Sequence, residues 1–193
     1  SGSNRVYKSI SEISEDVQHA FVAIEDERFY EHNGIDPMGI ARAFVRGVAN
    51  GGHFTEGAST ITQQLIKNNI FPNFVSENTF FERAERKIQE QYLALKIEKQ
   101  MSKDEILESY LNTINLGQNT LGIQSASMRY FNKDASELTL SEAAVIAGIT
   151  QSPTTLNPID NPEANQRRRD EVLQKMLDQG YITREESVSY THL

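Results

Sequence analysis

The sequence predicts a mainly α-helical protein with a single domain. Apolar residues recur at helical spacing along most of the chain, and capping boxes that begin with Ser or Thr precede two of these stretches. No segment shows the convincing apolar–polar alternation of a strand. With 193 residues, of which 38% are hydrophobic, the chain is long enough for one domain with a proper core.

The first half of the chain is predicted to form three helices separated by loops. Val17, Phe21 and Ile24 lie at helical spacing after an acidic start at Ser14, and Gly34 is a stop signal. The elements that follow are a helix over 37–50, a glycine-rich loop over 51–59, a helix from about 60 to 69 and a loop over 72–79.

The second half is predicted to contain longer helices. An apolar stripe at i, i+4, i+8 and i+11 predicts an amphipathic helix. Its members are Ala84, Ile88, Tyr92 and Leu95. The later elements are a helix after the box Ser102–Glu105, a buried apolar helix after the box Thr139–Glu142, an irregular stretch over 152–163 and a last helix over about 163–179.

The composition excludes several classes of protein. The formal net charge is −8, which argues against a general nucleic-acid binder. The chain contains no Cys, so disulfides, thiolate catalysis and Cys-ligated metals are excluded. No run of about 18 apolar residues could span a bilayer.

The densest titratable cluster lies between Glu25 and His32. Four carboxylates fall within seven positions beside the apolar face of the first helix. Burial and like charge could make one of them a general base, whereas the alternative is a solvated helix end. His32 alone is predicted to be a hydrogen-bonded structural group. The four His are scattered and offer no H-x-x-x-H pair for a metal.

Two further segments could bind anions. In the segment Gly57–Gln64, a loop that begins with glycine is followed by Ser and Thr at the start of a helix, where free N–H groups can bind an anion. Lys67 lies one turn beyond Gln63. The alternative for this segment is a simple N-cap. Arg86 and Glu90 form either a surface ion pair or, if their face is buried, a carboxylate flanked by cations that suits a phosphate leaving group.

In this order the motifs resemble glycosyltransferase family 51, the peptidoglycan polymerase domain of class A penicillin-binding proteins and monofunctional glycosyltransferases. The resemblance extends from about residue 10 to 182, and five motifs in sequence are a specific signal. They are E-D-x-x-F-x-x-H-x-G from Glu25, G-x-S-T-I-T-Q-Q from Gly57, R-K-x-x-E from Arg86, Y-L-N-x-x-x-x-G from Tyr110 and R-R-x-x-V-L from Arg168.

The resemblance implies a lysozyme-like helical fold with a head and a smaller, membrane-facing jaw, which we expect around Phe44–Phe54 and Phe71–Phe81. It implies polymerisation of lipid II into β-1,4-linked glycan by inverting displacement of polyprenyl pyrophosphate. Glu25 maps onto the family's base and Glu90 onto a second, donor-side carboxylate. The other implied substrate contacts are Asp26, Arg42, Ser59, Thr60, Gln63, Gln64, Lys67, Arg86, Lys87, Asn112 and Arg168.

The resemblance also implies partners and location. We expect lipid II, the growing lipid-linked glycan, the bacterial membrane, cell-wall synthesis proteins and moenomycin-type inhibitors as partners, and no nucleic acid. Family members are held at the outer face of the cytoplasmic membrane by an N-terminal transmembrane helix. We therefore expect an excised domain, with a vector remnant and linker over 1–9, the catalytic domain over 10–182 and a tail over 183–193 toward a following domain.

Three points stay open at this stage. Divalent cations such as Mg²⁺ or Mn²⁺ often stimulate the family, although the sequence shows no evident ligand set. The nearest alternative function is a lysozyme-like hydrolase or lytic transglycosylase, which also uses a glutamate on glycan. A catalytically silent glycan-binding domain is the third reading. The cations Lys67, Arg86, Lys87 and Arg168 favour the synthase.

Overall fold

The structure is a computed structural model that describes residues 6–53, 57–71 and 79–191. Within these residues the chain is mainly helical, as predicted, and its β pairing is a single isolated bridge between Asn115 and Leu121. The helices are α1 Glu15–Glu25, α2 Pro37–Ala49, α3 Ile61–Ile70, α4 Phe80–Glu98, α5 Lys103–Thr113, α6 Ile123–Phe131, α7 Leu140–Ala147, α8 Pro162–Asp178 and α9 Arg184–Thr191. Of the vector remnant and linker predicted over 1–9, residues 1–5 lie outside the described residues.

The chain divides into two compact units. The first unit comprises Ser1–Glu27 and Leu107–Leu193, and the second comprises Arg28–Ile106, so the boundary passes through α5. Sequence patterns predicted a single domain and did not reveal this division.

The core of the first unit is built around α7, which packs against α1 and α8. Thr139 caps α7 and accepts a hydrogen bond from the Glu142 N–H, as the capping box predicted. The helix buries five of its eight residues. Burying a side chain such as Ile146 stabilises the fold by roughly 1.5–3 kcal/mol. The prediction of a buried apolar helix is therefore confirmed.

In the second unit α3 packs against α4, and here the predicted apolar stripe is wrong. Ile88 and Tyr92 are 67% and 65% exposed, whereas Glu90 and Ala94 are buried. The reason is the close approach of Gly34, which has a φ of +113°. A Cβ at this position would lie 2.6 Å from the Ala94 carbonyl oxygen. The small residues on this face let the backbones meet, so α4 turns its larger apolar residues outward.

The C-terminus also differs from the prediction. Gly180 ends α8 with a φ of +81°, and the Tyr181 N–H donates to the Met176 carbonyl at 2.8 Å. The chain then forms α9 instead of a tail. Thr183 and Glu186 make a reciprocal capping box with 3.2 Å hydrogen bonds, a local signal that the sequence analysis missed.

Candidate active site

Glu25 is the last residue of α1 and is partly buried. Thr150, three residues beyond α7, donates its hydroxyl to Glu25 Oε1, and the same hydroxyl lies 3.2 Å from the Ala147 carbonyl. A hydroxyl has one proton to donate, so the contact with the carboxylate fixes its rotamer. Asp26 follows as the buried C-cap, with its N–H bonded to the Val22 carbonyl. The end of α1 is therefore not the solvated helix end of the alternative interpretation.

Tyr110 of α5 forms part of the surroundings of these carboxylates. It is fully buried and meets the Phe21 ring edge-on, with centroids 6.1 Å apart. Burial raises the pKa of Tyr110 well above its usual value, and the charges of Glu25 and Asp26 raise it further. Tyr110 consequently stays protonated and neutral beside the two acids.

In the second unit, Glu90 lies in the middle of α4 and its side chain is 0% exposed. Its two carboxylate oxygens accept separate hydrogen bonds, from Arg86 Nη1 at 2.7 Å and from Lys87 Nζ at 3.0 Å. Lys87 Nζ also donates to the Ser59 hydroxyl. The structure thus decides between the two interpretations of this pair in favour of a buried carboxylate flanked by cations.

At the start of α3, two predicted substrate contacts, Thr60 and Gln63, make the reciprocal hydrogen bonds of a capping box. The Thr60 hydroxyl accepts from the Gln63 N–H at 3.1 Å, and Gln63 Oε1 accepts from the Thr60 N–H at 3.0 Å. Thr60 also donates to the Gly34 carbonyl at 2.7 Å, and both side chains are buried. Capping uses the Thr60 hydroxyl and Gln63 Oε1, whereas Ser59, Gln64 and Lys67 take no part in the cap.

Asn112 was also predicted to contact substrate, and the structure gives its amide another role. Its Oδ1 accepts from the Lys8 N–H at 2.8 Å, and its Nδ2 donates to the carbonyls of Lys8 and Glu108. The hydroxyl of Tyr7 donates to Glu108 as well. Asn112 therefore ties the N-terminal segment to α5, and residues 7 and 8 belong to the folded unit rather than to a linker.

The two remaining predicted cations differ in their surroundings. Arg42 is exposed on α2. Arg168 on α8 is mostly buried, lies against Gly148 and pairs with Glu171 at 2.6 Å. In the part of the chain that the structure describes, the Nε atoms of Arg168 and Arg169 are buried without a hydrogen-bond partner.

The sequence predicted the role of His32 but gave no sign of the contact made by Thr150. The His32 Nδ1 accepts from the Gly34 N–H at 3.0 Å, and its carbonyl accepts from Lys103 Nζ at 2.7 Å, which confirms the structural role predicted for it. Thr150 belonged to no candidate motif, because its partner Glu25 is 125 residues away and no local pattern signals the contact.

Among the described residues, no group of three or more His, Cys, Asp or Glu side chains could hold a metal ion. Nor does any described helix combine the length and apolar character that crossing a bilayer requires.

Comparison with known proteins names the family: the chain belongs to the transglycosylase family, whose model matches residues 1–177. The resemblance to glycosyltransferase family 51 is thereby confirmed.

The relatives are penicillin-binding proteins. The chain is 48% identical over 186 residues to "Penicillin-binding protein 1F" of Bacillus subtilis, covering 96% of this chain and 25% of the relative. It is 46% identical over 182 residues to "Penicillin-binding protein 1A" of Haemophilus influenzae, covering 94% and 20%. The chain thus spans a quarter or less of these relatives' lengths.

A crystal structure of Penicillin-Binding Protein 1A from Haemophilus influenzae supports the fold. It superimposes with a TM-score of 0.56 at 26% identity, covering 97% of this chain and 17% of that chain. The identity in this superposition is lower than the 46% of the sequence alignment. The sequence alignment therefore carries the family assignment, and the superposition supports the helical fold.

Proposed function

We propose that this domain polymerises lipid II. The 4-hydroxyl of an acceptor lipid II attacks C1 of a lipid-linked glycan donor, and polyprenyl pyrophosphate leaves with inversion at C1. The observation that carries the proposal is the buried Glu90 holding Arg86 and Lys87 on one face of α4. Cations fixed in this way can stabilise the charge that develops on a departing pyrophosphate.

Glu25 is the proposed general base. It takes the proton of the acceptor hydroxyl as the O4–C1 bond forms, while the electron pair of the C1–O bond goes to the pyrophosphate. A positioned base of this kind contributes typically 10²–10⁴-fold to the rate. The Thr150 hydroxyl supports this role because it donates to Oε1 of Glu25 and so holds the carboxylate in one orientation.

The remaining predicted residues fall into two groups, cations and neutral or acidic polar residues. We assign pyrophosphate contacts to the cations and substrate positioning to the polar residues that are not used in capping. The cations are Arg42, Lys67, Arg86, Lys87 and Arg168, and the polar residues are Asp26, Ser59 and Gln64. Glu90 keeps the cations of α4 in place. The proposal includes stimulation by Mg²⁺ or Mn²⁺, although the described residues offer no ligand cluster for such an ion.

A membrane location at the outer face of the cytoplasmic membrane is part of the proposal. Phe44, Val45 and Val48 project from α2 with 57–64% of their surface exposed, and Phe81 of α4 is 82% exposed. Such an apolar surface suits contact with lipid. Phe54 and most of the second predicted jaw segment, 72–78, lie outside the described residues.

Cosedimentation with vesicles of bacterial phospholipid tests the membrane contact. The domain should associate weakly, more strongly once lipid II is added, and Phe44→Ser with Val48→Ser should reduce the bound fraction. The matched control is Val188→Ser, another exposed apolar residue, on α9 of the first unit. Absence of vesicle association under every condition would contradict this location.

Separate incubations with lipid II and with finished glycan in detergent, each followed by sizing of the products, test the function. Growth of long glycan that a moenomycin-type inhibitor blocks supports the polymerase. Shortening of finished glycan would instead support the hydrolase, and no change to either substrate would support a silent glycan-binding domain.

A further inference from the structure

A polar cavity of about 850 Å³ lies in the first unit, apart from the residues assigned above. One wall is the loop 115–121 between α5 and α6, and the other is the segment 153–160 between α7 and α8. Most of the lining side chains are amides and hydroxyls, and Asp160 is the charged one.

The loop 115–121 is held by its own backbone. The Leu116 N–H donates to the Thr120 carbonyl at 3.0 Å, and Tyr130 donates its hydroxyl to the Leu116 carbonyl at 2.6 Å. Gly117 has a φ of +76°, and a Cβ there would lie 2.6 Å from the Pro153 carbonyl oxygen. Only glycine permits this approach, so the two walls meet at Gly117.

The opposite wall is equally ordered. Asn157 Nδ2 donates to the Pro153 carbonyl and to Asp160 Oδ2, both at 2.9 Å, and Asn157 Oδ1 accepts from the Asp160 N–H at 2.9 Å. Gln118 Nε2 reaches across from the first wall to Asp160 Oδ2 at 2.8 Å. The cavity is therefore preformed and needs no rearrangement to accept a ligand.

Three polar groups of the lining remain available to a ligand. Among the hydrogen bonds of the described residues, none involves the side chains of Asn119 or Thr154 or the Oδ1 atom of Asp160. The amide and the hydroxyl can each donate and accept a hydrogen bond, and the carboxylate oxygen can accept one. Together the three groups suit a ligand with adjacent hydroxyl groups.

We propose that this cavity binds neutral sugar residues of the glycan. An anionic ligand would face a carboxylate, and an apolar ligand would leave the amides unsatisfied. An extended peptide would need free backbone groups, and those of the loop 115–121 are largely paired with one another.

The position of the cavity in the first unit supports a role on the acceptor side of the reaction. Thr150, which contacts Glu25, is three residues before Pro153 in the cavity wall, a separation of at most about 10 Å along the chain. An acceptor lipid II whose 4-hydroxyl lies at Glu25 would place its sugars along this wall. In this respect the inference rests on the proposed function.

Titration of the ¹⁵N-labelled chain with a soluble tetrasaccharide of β-1,4-linked N-acetylglucosamine tests the inference by NMR. Chemical-shift changes should concentrate at 115–121 and 153–160. Asn119→Gly and Thr154→Ala together should weaken binding about tenfold, since each loses a hydrogen bond. Asn119 has a φ of 60°, which glycine retains without strain. Asn132→Gly is the matched control, because Asn132 also has a positive φ, 53°, but lies outside the cavity. This variant should bind the sugar as tightly as the parent chain does.

Shift changes elsewhere, no binding at all, or equal affinities for the double variant and the parent would overturn the inference. So would a soluble stem peptide that shifts these resonances while the tetrasaccharide does not. Glu25→Gln separates the two hypotheses, because it should stop polymerisation while leaving the titration intact. If the parent chain binds sugar here but makes no polymer, the proposed function fails and this site stands.

Discussion

Glu25 and Glu90 are the same type of residue in opposite surroundings. Glu25 ends α1 of the first unit, partly buried, and accepts a hydrogen bond from the neutral hydroxyl of Thr150. Glu90 lies within α4 of the second unit, fully buried, and accepts from two cations. Protonation of Glu90 would weaken both of its ion pairs, whereas a hydroxyl can stay bonded to either form of Glu25. These surroundings support the proposed roles, which are proton transfer for Glu25 and the holding of cations for Glu90.

The comparison separates catalysis from stability. A base must exchange its proton with substrate, so it cannot be enclosed by permanent partners. A buried carboxylate with two cations is costly to disrupt, because removing one charge leaves the others uncompensated. Substitutions at the two positions should accordingly differ in which property they change.

The largest effect is expected at Glu25. Glu25→Gln keeps the shape of the side chain but removes the proton acceptor, so polymerisation of lipid II should fall by about 10²–10⁴-fold with little change in melting temperature. Initial rates of product formation measure the loss. Glu31→Gln, at an exposed residue of the same acidic segment, should keep the parent rate. A Glu25→Gln domain that polymerises at nearly the parent rate would refute the assigned base.

Glu90→Gln should change the stability of the domain, whereas Glu25→Gln should change its rate. The loss of the negative charge leaves Arg86 and Lys87 beside a neutral amide, and we expect the free energy of unfolding to fall by about 3 kcal/mol, a value at the low end because Lys87 is partly exposed. Chemical denaturation measures it, with the exposed Glu85→Gln on the same helix as the control. Unchanged stability would mean that Glu90 does not hold the second unit together.

Thr150→Val sharpens the description of Glu25. The substitution keeps the shape but removes the hydroxyl that holds Oε1 of Glu25, so the initial rate of polymerisation should drop several-fold. Thr150→Ser, which retains the hydroxyl, should restore the parent rate. A parent rate in the valine variant would show that the hydroxyl does not act on the base.

The smallest effect is expected at Asp36 of the second unit. Asp36 forms an ion pair with one cation, Arg28, whereas Glu90 pairs with two. Burial works against the charged form, but hydrogen bonds from Arg28 and from the Gly39 N–H outweigh it, so the pKa of Asp36 is lowered from 3.8. A lowered folded-state pKa contributes stability above pH 3.8 that is lost as pH falls through the folded value.

Asp36→Asn keeps the cap of α2 but loses the charged pair. We expect it to cost about 1–2 kcal/mol near neutral pH and nothing in strong acid. Unfolding curves across this range measure the difference, with the exposed Asp104→Asn as the control. A deficit that persists below the folded-state pKa would contradict an electrostatic origin.

What the sequence by itself determined is local or ordered along the chain. The capping box at Thr139 and the apolar run after it lie within two turns of helix, so their outcome depends on neighbours a few residues away. The five motifs were recognisable because a family repeats residue types at set spacings, and their order identified the family without any knowledge of contacts.

Only the tertiary structure decided which of these residues meet. Gly34 approaches α4 at Ala94, which is buried as Glu90 is, whereas Ile88 faces outward, although the apolar pattern of the helix predicts the reverse. Thr60 and Gln63 cap α3, and Thr150 reaches Glu25 across 125 residues. Periodicity reports which residues are apolar, whereas burial depends on how closely backbones approach, and that distance is set by parts of the chain remote in sequence.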